Sequence, residues 1–186
     1  MNRMSDKNSK YQSFFEQALE HQSIHKCGAH PFEEYNDLIQ ILKKYKPIKI
    51  LEIGSGVGFS TSLISEILPK TTIQTIEMET THIQICAEKF KLFPNIELLK
   101  GEAKVILPKL ITNNYDLIFF DGYAPQYNFL VEFERILKKG GILISANCHL
   151  KGPSLSTTPQ YLKSIQNKST WDKLDEFGDS VVLKLV

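Results

Sequence analysis

The sequence predicts one α/β domain, a mostly parallel sheet covered by helices on both faces and closed by an antiparallel hairpin. Three observations predict it. From Ile48 onward, short apolar runs alternate with amphipathic stretches of helical period, the rhythm of strands buried on both faces and joined by crossover helices. The first run ends in a glycine-rich turn, LEIGSGVGFS, that opens directly into a helix. The last two runs, WDKLDEF and SVVLKLV, are separated only by Gly178 and Asp179, the chemistry of a tight hairpin turn that makes the last strand antiparallel to its neighbour.

Taken in order, the polar stretch 1–9 reads as a frayed tail, ahead of one domain over 10–186 whose N-terminal helices occupy 10–46 and whose core occupies 47–186. Phe14, Phe15, Ala18 and Leu19 recur at helical spacing, and a second helix is expected from Pro31 to Tyr45, with Tyr35, Leu38, Ile39 and Leu42 on one face. Pro31 suits a first turn, where its missing N–H costs nothing. Then follow the strand IKILEI, a helix over 57–68, the strand TIQTIE, a helix over 79–92, the strand IELLK, a helix over 102–111, the strand YDLIFF, a helix over 125–138 and the strand GILISA. A helix near 158–167 precedes the hairpin. Five parallel strands capped by that hairpin is the expected layout.

A chain of 186 residues suits a single core. Its 22 Lys and Arg nearly cancel 21 Asp and Glu, so no global field favours nucleic acid, a membrane surface or an acidic substrate. Cys27, Cys86 and Cys148 are odd in number and far apart, which suits reduced thiols and a cytoplasmic setting better than a disulfide framework. The N-terminus lacks the apolar stretch of a signal peptide, and no run approaches the ~20 apolar residues of a membrane span.

In the turn after Ile53, Gly54, Gly56 and Gly58 allow a tight backbone path and a close approach to a ligand, beside the anion-attracting N–H groups of a helix start. Dinucleotide sites use G-x-G-x-x-G; this turn reads G-x-G-x-G, with Glu52 two residues before it. The spacing favours S-adenosylmethionine (SAM), which has a small carboxylate and no pyrophosphate to cradle. An ordinary strand-to-helix turn is the competing reading. Glu77, 19 residues past Gly58 at the end of the next strand, shifts the balance, because an acidic group there accepts both ribose hydroxyls and opposes a 2′-phosphate.

These residues, with GEAKVILPKL, YDLIFFDG and Tyr127, KKGGILISAN and FGDSVVLKLV, form an ordered series from about Ala29 to Val186. The series resembles the cation-dependent class I O-methyltransferases, the catechol and caffeoyl-CoA O-methyltransferases with their bacterial relatives. The resemblance implies a Rossmann-like, seven-stranded sheet with an antiparallel last strand, and SAM lying across the ends of the first four strands. It implies that Gly54, Gly56 and Ser60 hold the methionine carboxylate, Glu77 the ribose, and Glu102 with Ala103 the adenine side, with Glu52, Ser55, Gly58 and Met78 among the other cofactor-binding residues. Asp121 matches a residue near both the SAM amino group and a catalytic metal. For Asp121 a solvated strand-end carboxylate, and for Glu102 a helix N-terminal charge, are the plain alternatives.

Two positions depart from the family's pattern. The resemblance implies an Asp-Asn pair completing a three-oxygen Mg²⁺ site with Asp121, but the pair here is Ala146 and Asn147, and Asp121 with Asn147 alone suits that hard cation poorly. The family's general-base Lys falls on Ala124. His149, two residues past Asn147, is the substitute base the sequence offers, against the plain reading of an exposed loop histidine. The acceptor is expected to be a small hydroxylated molecule. A hydroxylated tRNA base is an alternative that the charge balance does not support, a SAM-holding relative without turnover is another, and relatives that dimerise make a homodimer an open expectation.

Two further groups stand out. His21, His25, Cys27 and His30 cluster ahead of the sheet, with His21 and His25 on one helix face as zinc ligands are; without a second ordered ligand pair, packing is the default reading. Tyr123 and Tyr127 read equally as a pocket wall for a planar group and as structural packing.

Overall fold

The computed structural model describes residues 3–123, 126–148 and 159–186, with backbone alone through residue 10. Two helices, α1 (Arg3–His25) and α2 (Tyr35–Tyr45), precede the sheet. The sheet region then runs β1 (Lys49–Ile53), α3 (Phe59–Ile67), β2 (Thr72–Glu77), α4 (Thr80–Lys89), β3 (Ile96–Lys100), α5 (Ala103–Ile106), β4 (Tyr115–Phe120), α6 (Tyr127–Ile136), β5 (Leu137–Ser145), α7 (Pro159–Ile165), β6 (Trp171–Phe177) and β7 (Ser180–Leu185). Single 3-10 turns follow α4 and α5.

The seven strands lie in the order β3-β2-β1-β4-β5-β7-β6. Pairings among β1 to β5 are parallel, and β7 runs antiparallel to both β5 and β6, so the expected layout of five parallel strands and a hairpin is the observed one. Strand β4 shows why its sequence is apolar throughout. Leu117 and Phe119 join the core under α2 and α3, while Ile118 and Phe120 join the opposite core with Phe133 of α6 and Trp171. Both faces are covered, so no polar alternation survives.

Three boundaries move. Pro31 is buried in the approach to α2 rather than in its first turn, because Phe32 is drawn into the core against Phe119, ring centroids 5.0 Å apart, and the helix starts only at Tyr35. The sixth helix stops at Ile136, and β5 begins at once with buried Leu137 paired to Tyr115. A register shift between Tyr115 and Leu117 and a left-handed Gly140 (φ +77°) then carry the strand into GILIS. Helix α1 starts at Arg3, so its backbone runs through most of the stretch read as a tail; no Gly or Pro interrupts 3–27. Among the described residues no helix is long and apolar enough to cross a membrane.

Candidate active site

The strand order reverses direction between β1 and β4, and in open α/β sheets ligands bind outside the carboxyl ends at such a switch point. The residues singled out in the sequence converge on that edge. The turn 54–58 leaves β1, Glu77 ends β2, Gly101 and Glu102 follow β3, Asp121 follows β4, and Asn147 lies two residues past β5.

The turn has a left-handed backbone at Gly54 (φ +94°) and Gly58 (φ +81°). A side chain at Gly54 would place its Cβ 2.7 Å from the Asp121 carbonyl, and one at Gly58 would meet the Phe90 ring at 2.8 Å. Both glycines are therefore demanded by the closeness of β1, β4 and α4 as much as by any ligand. Gly54 N–H donates to Ile76 O (2.9 Å) and Gly58 N–H to Ser55 O (2.7 Å).

Glu77 reaches across to this turn. Its Oε2 accepts from Gly56 N–H at 2.8 Å, and its Oε1 accepts from the amides of Met78 (2.9 Å) and Glu79 (2.8 Å). Three amides thus fix the carboxylate at the rim while lone pairs on Oε2 remain for a further donor. Met78 beside it is 55 % exposed, an apolar side chain left in solvent at the edge.

Glu52 is placed differently from a surface ligand: it is 0 % exposed beneath the turn. Its Oε1 accepts from Ser60 Oγ at 2.6 Å, and its Oε2 accepts from Thr75 Oγ1 at 2.6 Å and from Thr61 Oγ1. Burial pushes its carboxyl above the usual range, against the three hydroxyls that pull it down. Ser60 is likewise turned inward, its hydroxyl committed to Glu52. The first turn of α3 is thereby tied to β1 and β2 from below. Nothing in the sequence marks Thr61 and Thr75 as site-related, because they belong to two elements that only the fold brings onto one carboxylate.

Asp121 is half-buried at the end of β4, its N–H continuing the ladder to Ile53 O at 3.0 Å. Burial, then the nearby charges of Glu52 and Glu34, hold its carboxyl well above the usual range. Asn147 takes a left-handed backbone (φ +60°), and its Nδ2 donates to Gly122 O at 2.6 Å. Ala146 is buried beside it. Asp121 and Asn147 bring one carboxylate and one amide oxygen where Mg²⁺ takes an octahedral shell, and among the described residues Asp121 belongs to no group of three or more His, Cys, Asp or Glu side chains close enough to share an ion. The donor set does not fit a resident Mg²⁺. Ala124 and His149 lie outside the described residues.

Glu102 sits at the head of the four-residue α5, exposed and paired with Lys104 (2.6 Å), and Ala103 is half-buried behind it. Ser55 is buried under the turn. Over the edge passes the segment 26–30, which the sequence did not single out as a cover. Ala29 Cβ lies 3.1 Å from where a Cβ would stand on Gly56, and a side chain on Gly28 would collide with the Tyr123 hydroxyl. Phe15 packs against Tyr35 and Phe59, at 5.6 and 5.4 Å between ring centroids, so it belongs to the core. Tyr127 at the head of α6 is exposed.

A family described as "Methyltransferase domain" matches residues 44–179, which takes in the glycine turn, Glu77, Asp121 and Asn147. The chain belongs to the methyltransferase domain family. It is similar to a Mycobacterium sp. (strain JLS) protein named "Putative O-methyltransferase", 32% identical over 122 residues, 62% of this chain and 56% of that one. A Mycobacterium marinum protein of the same name is 30% identical over 122 residues, 62% of this chain and 54% of its own length. The chain thus spans just over half the length of these curated relatives. Among solved structures, the Streptomyces achromogenes O-methyltransferase TomG in complex with SAM superposes with a TM-score of 0.73 at 19% identity, covering 93% of this chain and 89% of that one. A Bacillus cereus O-methyltransferase in complex with SAH superposes at 0.72 and 20%, covering 94% and 90%. At such identities the likeness establishes the Rossmann-like methyltransferase fold.

Proposed function

We propose that the chain binds SAM across the carboxyl ends of β1 to β4 and transfers its methyl group to a hydroxyl oxygen of a small acceptor. The observation that carries this reading is the acidic edge, where Glu77 and Asp121 stand above the buried Glu52 with no Lys or Arg paired to any of the three among the described residues. A site of that sign suits a ligand with a sulfonium and an ammonium against one carboxylate, and repels the pyrophosphate of a dinucleotide. The names of the relatives agree with it.

SAM supplies an electrophilic methyl group when bound. In this reading Glu77, held rigid by three amides, accepts the ribose hydroxyls on Oε2, with Met78 and Ala103 along the base and Glu102 at its outer side. The turn from Gly54 to Gly58, with the first-turn amides of α3, receives the methionine carboxylate, while Glu52 and Ser60 act from beneath by holding that turn. Asp121 faces the cationic centre. Asp121, its carboxyl raised by burial and by the nearby Glu52 and Glu34 charges, is also the described group placed to take the proton of an acceptor hydroxyl, with His149 the second candidate. Transfer then needs the acceptor oxygen in line at ~3–3.5 Å, a geometry that segment 26–30 and Tyr123 are placed to enforce.

Calorimetry with SAM, followed by a methyl-transfer screen against catechols and bulk tRNA, tests the reading. Saturable SAM binding with a methylated catechol-type product is expected. Methylated tRNA with salt-sensitive binding would move the acceptor class, and tight SAM binding without any product would make the chain a SAM-holding protein without turnover. A cytoplasmic setting and a homodimer belong to the same proposal; light scattering of the purified chain reads the latter.

A further inference from the structure

The side chains of the histidine and cysteine cluster ahead of the sheet are given no chemistry in the function proposed above, and the fold adds to them a residue the linear sequence does not reveal. His82 of α4 is buried, 6 % exposed, and its ring meets that of His21 edge-on, centroids 5.5 Å apart. One ligand atom from each of His21, Cys27 and His82 lies within 4.8 Å of the other two. His21 Nε2 is buried with no hydrogen-bond partner among the described residues, an orphan that native structures normally satisfy with a water or an ion. His82 Nδ1 lies 3.8 Å from Glu77 Oε1, longer than a hydrogen bond but on the side from which a carboxylate orients a metal-binding histidine. Burial, with His25, His82 and Lys89 nearby, holds the His21 imidazole below its usual range.

We propose that His21, Cys27 and His82 form a site for a borderline divalent cation, Zn²⁺ by its ligand chemistry, that staples the end of α1 and the segment 26–30 to the start of α4. Two imidazoles and a thiolate are the donors Zn²⁺ takes and Mg²⁺ or Ca²⁺ do not. Three protein ligands leave one tetrahedral position for water or an added donor. His21 also lines a groove of about 310 Å³ with His25, Val57, Ile85 and Lys89, which gives an ion a way in. The ligands come from a helix end, a loop and a second helix. An ion bridging them fixes the segment that crosses Gly56 and Tyr123, and it does so through the histidine that touches Glu77.

The test is a titration of the chelator-treated full chain with Co²⁺, followed by its absorption spectrum and by competition with Zn²⁺. The expected result is one Co²⁺ per chain with a thiolate-to-cobalt charge-transfer band and ligand-field bands of four-coordinate intensity, bleached by one equivalent of Zn²⁺. Cys27→Ser removes the charge-transfer band, and His21→Ala and His82→Ala each weaken Zn²⁺ binding at least tenfold, while His25→Ala leaves the spectrum unchanged. His82 is buried, so its substitution also perturbs packing; the half-buried Cys27 carries the test by itself. Cys86 and Cys148 are buried, and a band that persists in Cys27→Ser would assign the metal to them and overturn the proposal. So would a wild-type chain, normally folded by its thermal transition, that takes up no stoichiometric Co²⁺. The titration needs no nucleoside, so its failure is distinct from a failure of SAM binding.

Discussion

Strand β4 carries a carboxylate near each of its ends, and the two are treated in opposite ways. At the amino end, Asp116 accepts from Ile48 N–H (3.0 Å) and Lys49 N–H (2.8 Å) and pairs with Lys138 Nζ at 2.7 Å. Against the raising effect of partial burial, Lys138 and those two amides hold its carboxyl below the usual range. At the carboxyl end, Asp121 has burial, Glu52 and Glu34 all acting to raise it. A charge satisfied from within contributes to stability; a charge left without a cation is a cost that persists in a native chain where a ligand will meet it. In the proposed reading, the amino edge of the sheet serves folding and the carboxyl edge serves binding.

Substitutions sharpen that contrast. The largest effect is expected at Glu52: Glu52→Ala strands three buried hydroxyls and opens a cavity, costing ~2–4 kcal/mol in chemical denaturation, whereas Glu52→Gln keeps the shape and much of the stability. Next comes Glu77→Ala, which removes the rim acceptor and is expected to weaken SAM binding by about 10–100-fold, the range for hydrogen bonds to a charged group, and to lower the thermal transition as well, because the amides of Gly56, Met78 and Glu79 lose their acceptor.

The pH dependence separates the two ends of β4 by sign. A carboxyl raised in the folded state binds its proton more tightly there than in the unfolded chain. Stability from Glu52 and Asp121 is therefore fully present at acidic pH and falls as pH rises through the ordinary carboxylate range toward their raised values. Asp121→Asn is expected to flatten that fall and to raise stability near neutral pH while weakening SAM binding, read by denaturation and calorimetry on the same samples. Asp116, whose carboxyl is lowered, contributes stability above the ordinary range and loses it on acidification. The smallest effect belongs to it: the ion pair with Lys138 is partly exposed, so Asp116→Asn should cost only ~0.5–1 kcal/mol and leave SAM affinity unchanged. An Asp116→Asn chain that lost SAM binding would break the contrast.

How far the sequence revealed this depended on whether neighbours in the chain or neighbours in space set each feature. TIQTIE, IELLK and YDLIFF coincide with β2, β3 and β4 because each is an apolar run bounded by turn residues. Glu77 was legible because its distance from the glycine turn is set by one strand-helix-strand unit. The late start of α2 was not, since Phe32 is held back by Phe119, and the abrupt passage from Ile136 to Leu137 depends on pairing with Tyr115. Glu52 read as a ligand contact, but hydroxyls from α3 and β2 close over it. His82 carried no sequence signal, because its partners His21 and Cys27 lie in a helix and a loop brought over α4 only by the fold.

The most direct test of the carboxyl-edge account is a calorimetric titration of SAM into the wild-type chain, Glu77→Ala and Asp116→Asn side by side. One saturable site is predicted in the wild type and in Asp116→Asn, with affinity lost or reduced at least tenfold in Glu77→Ala. No heat from the folded wild type, or equal binding by all three chains, would contradict it.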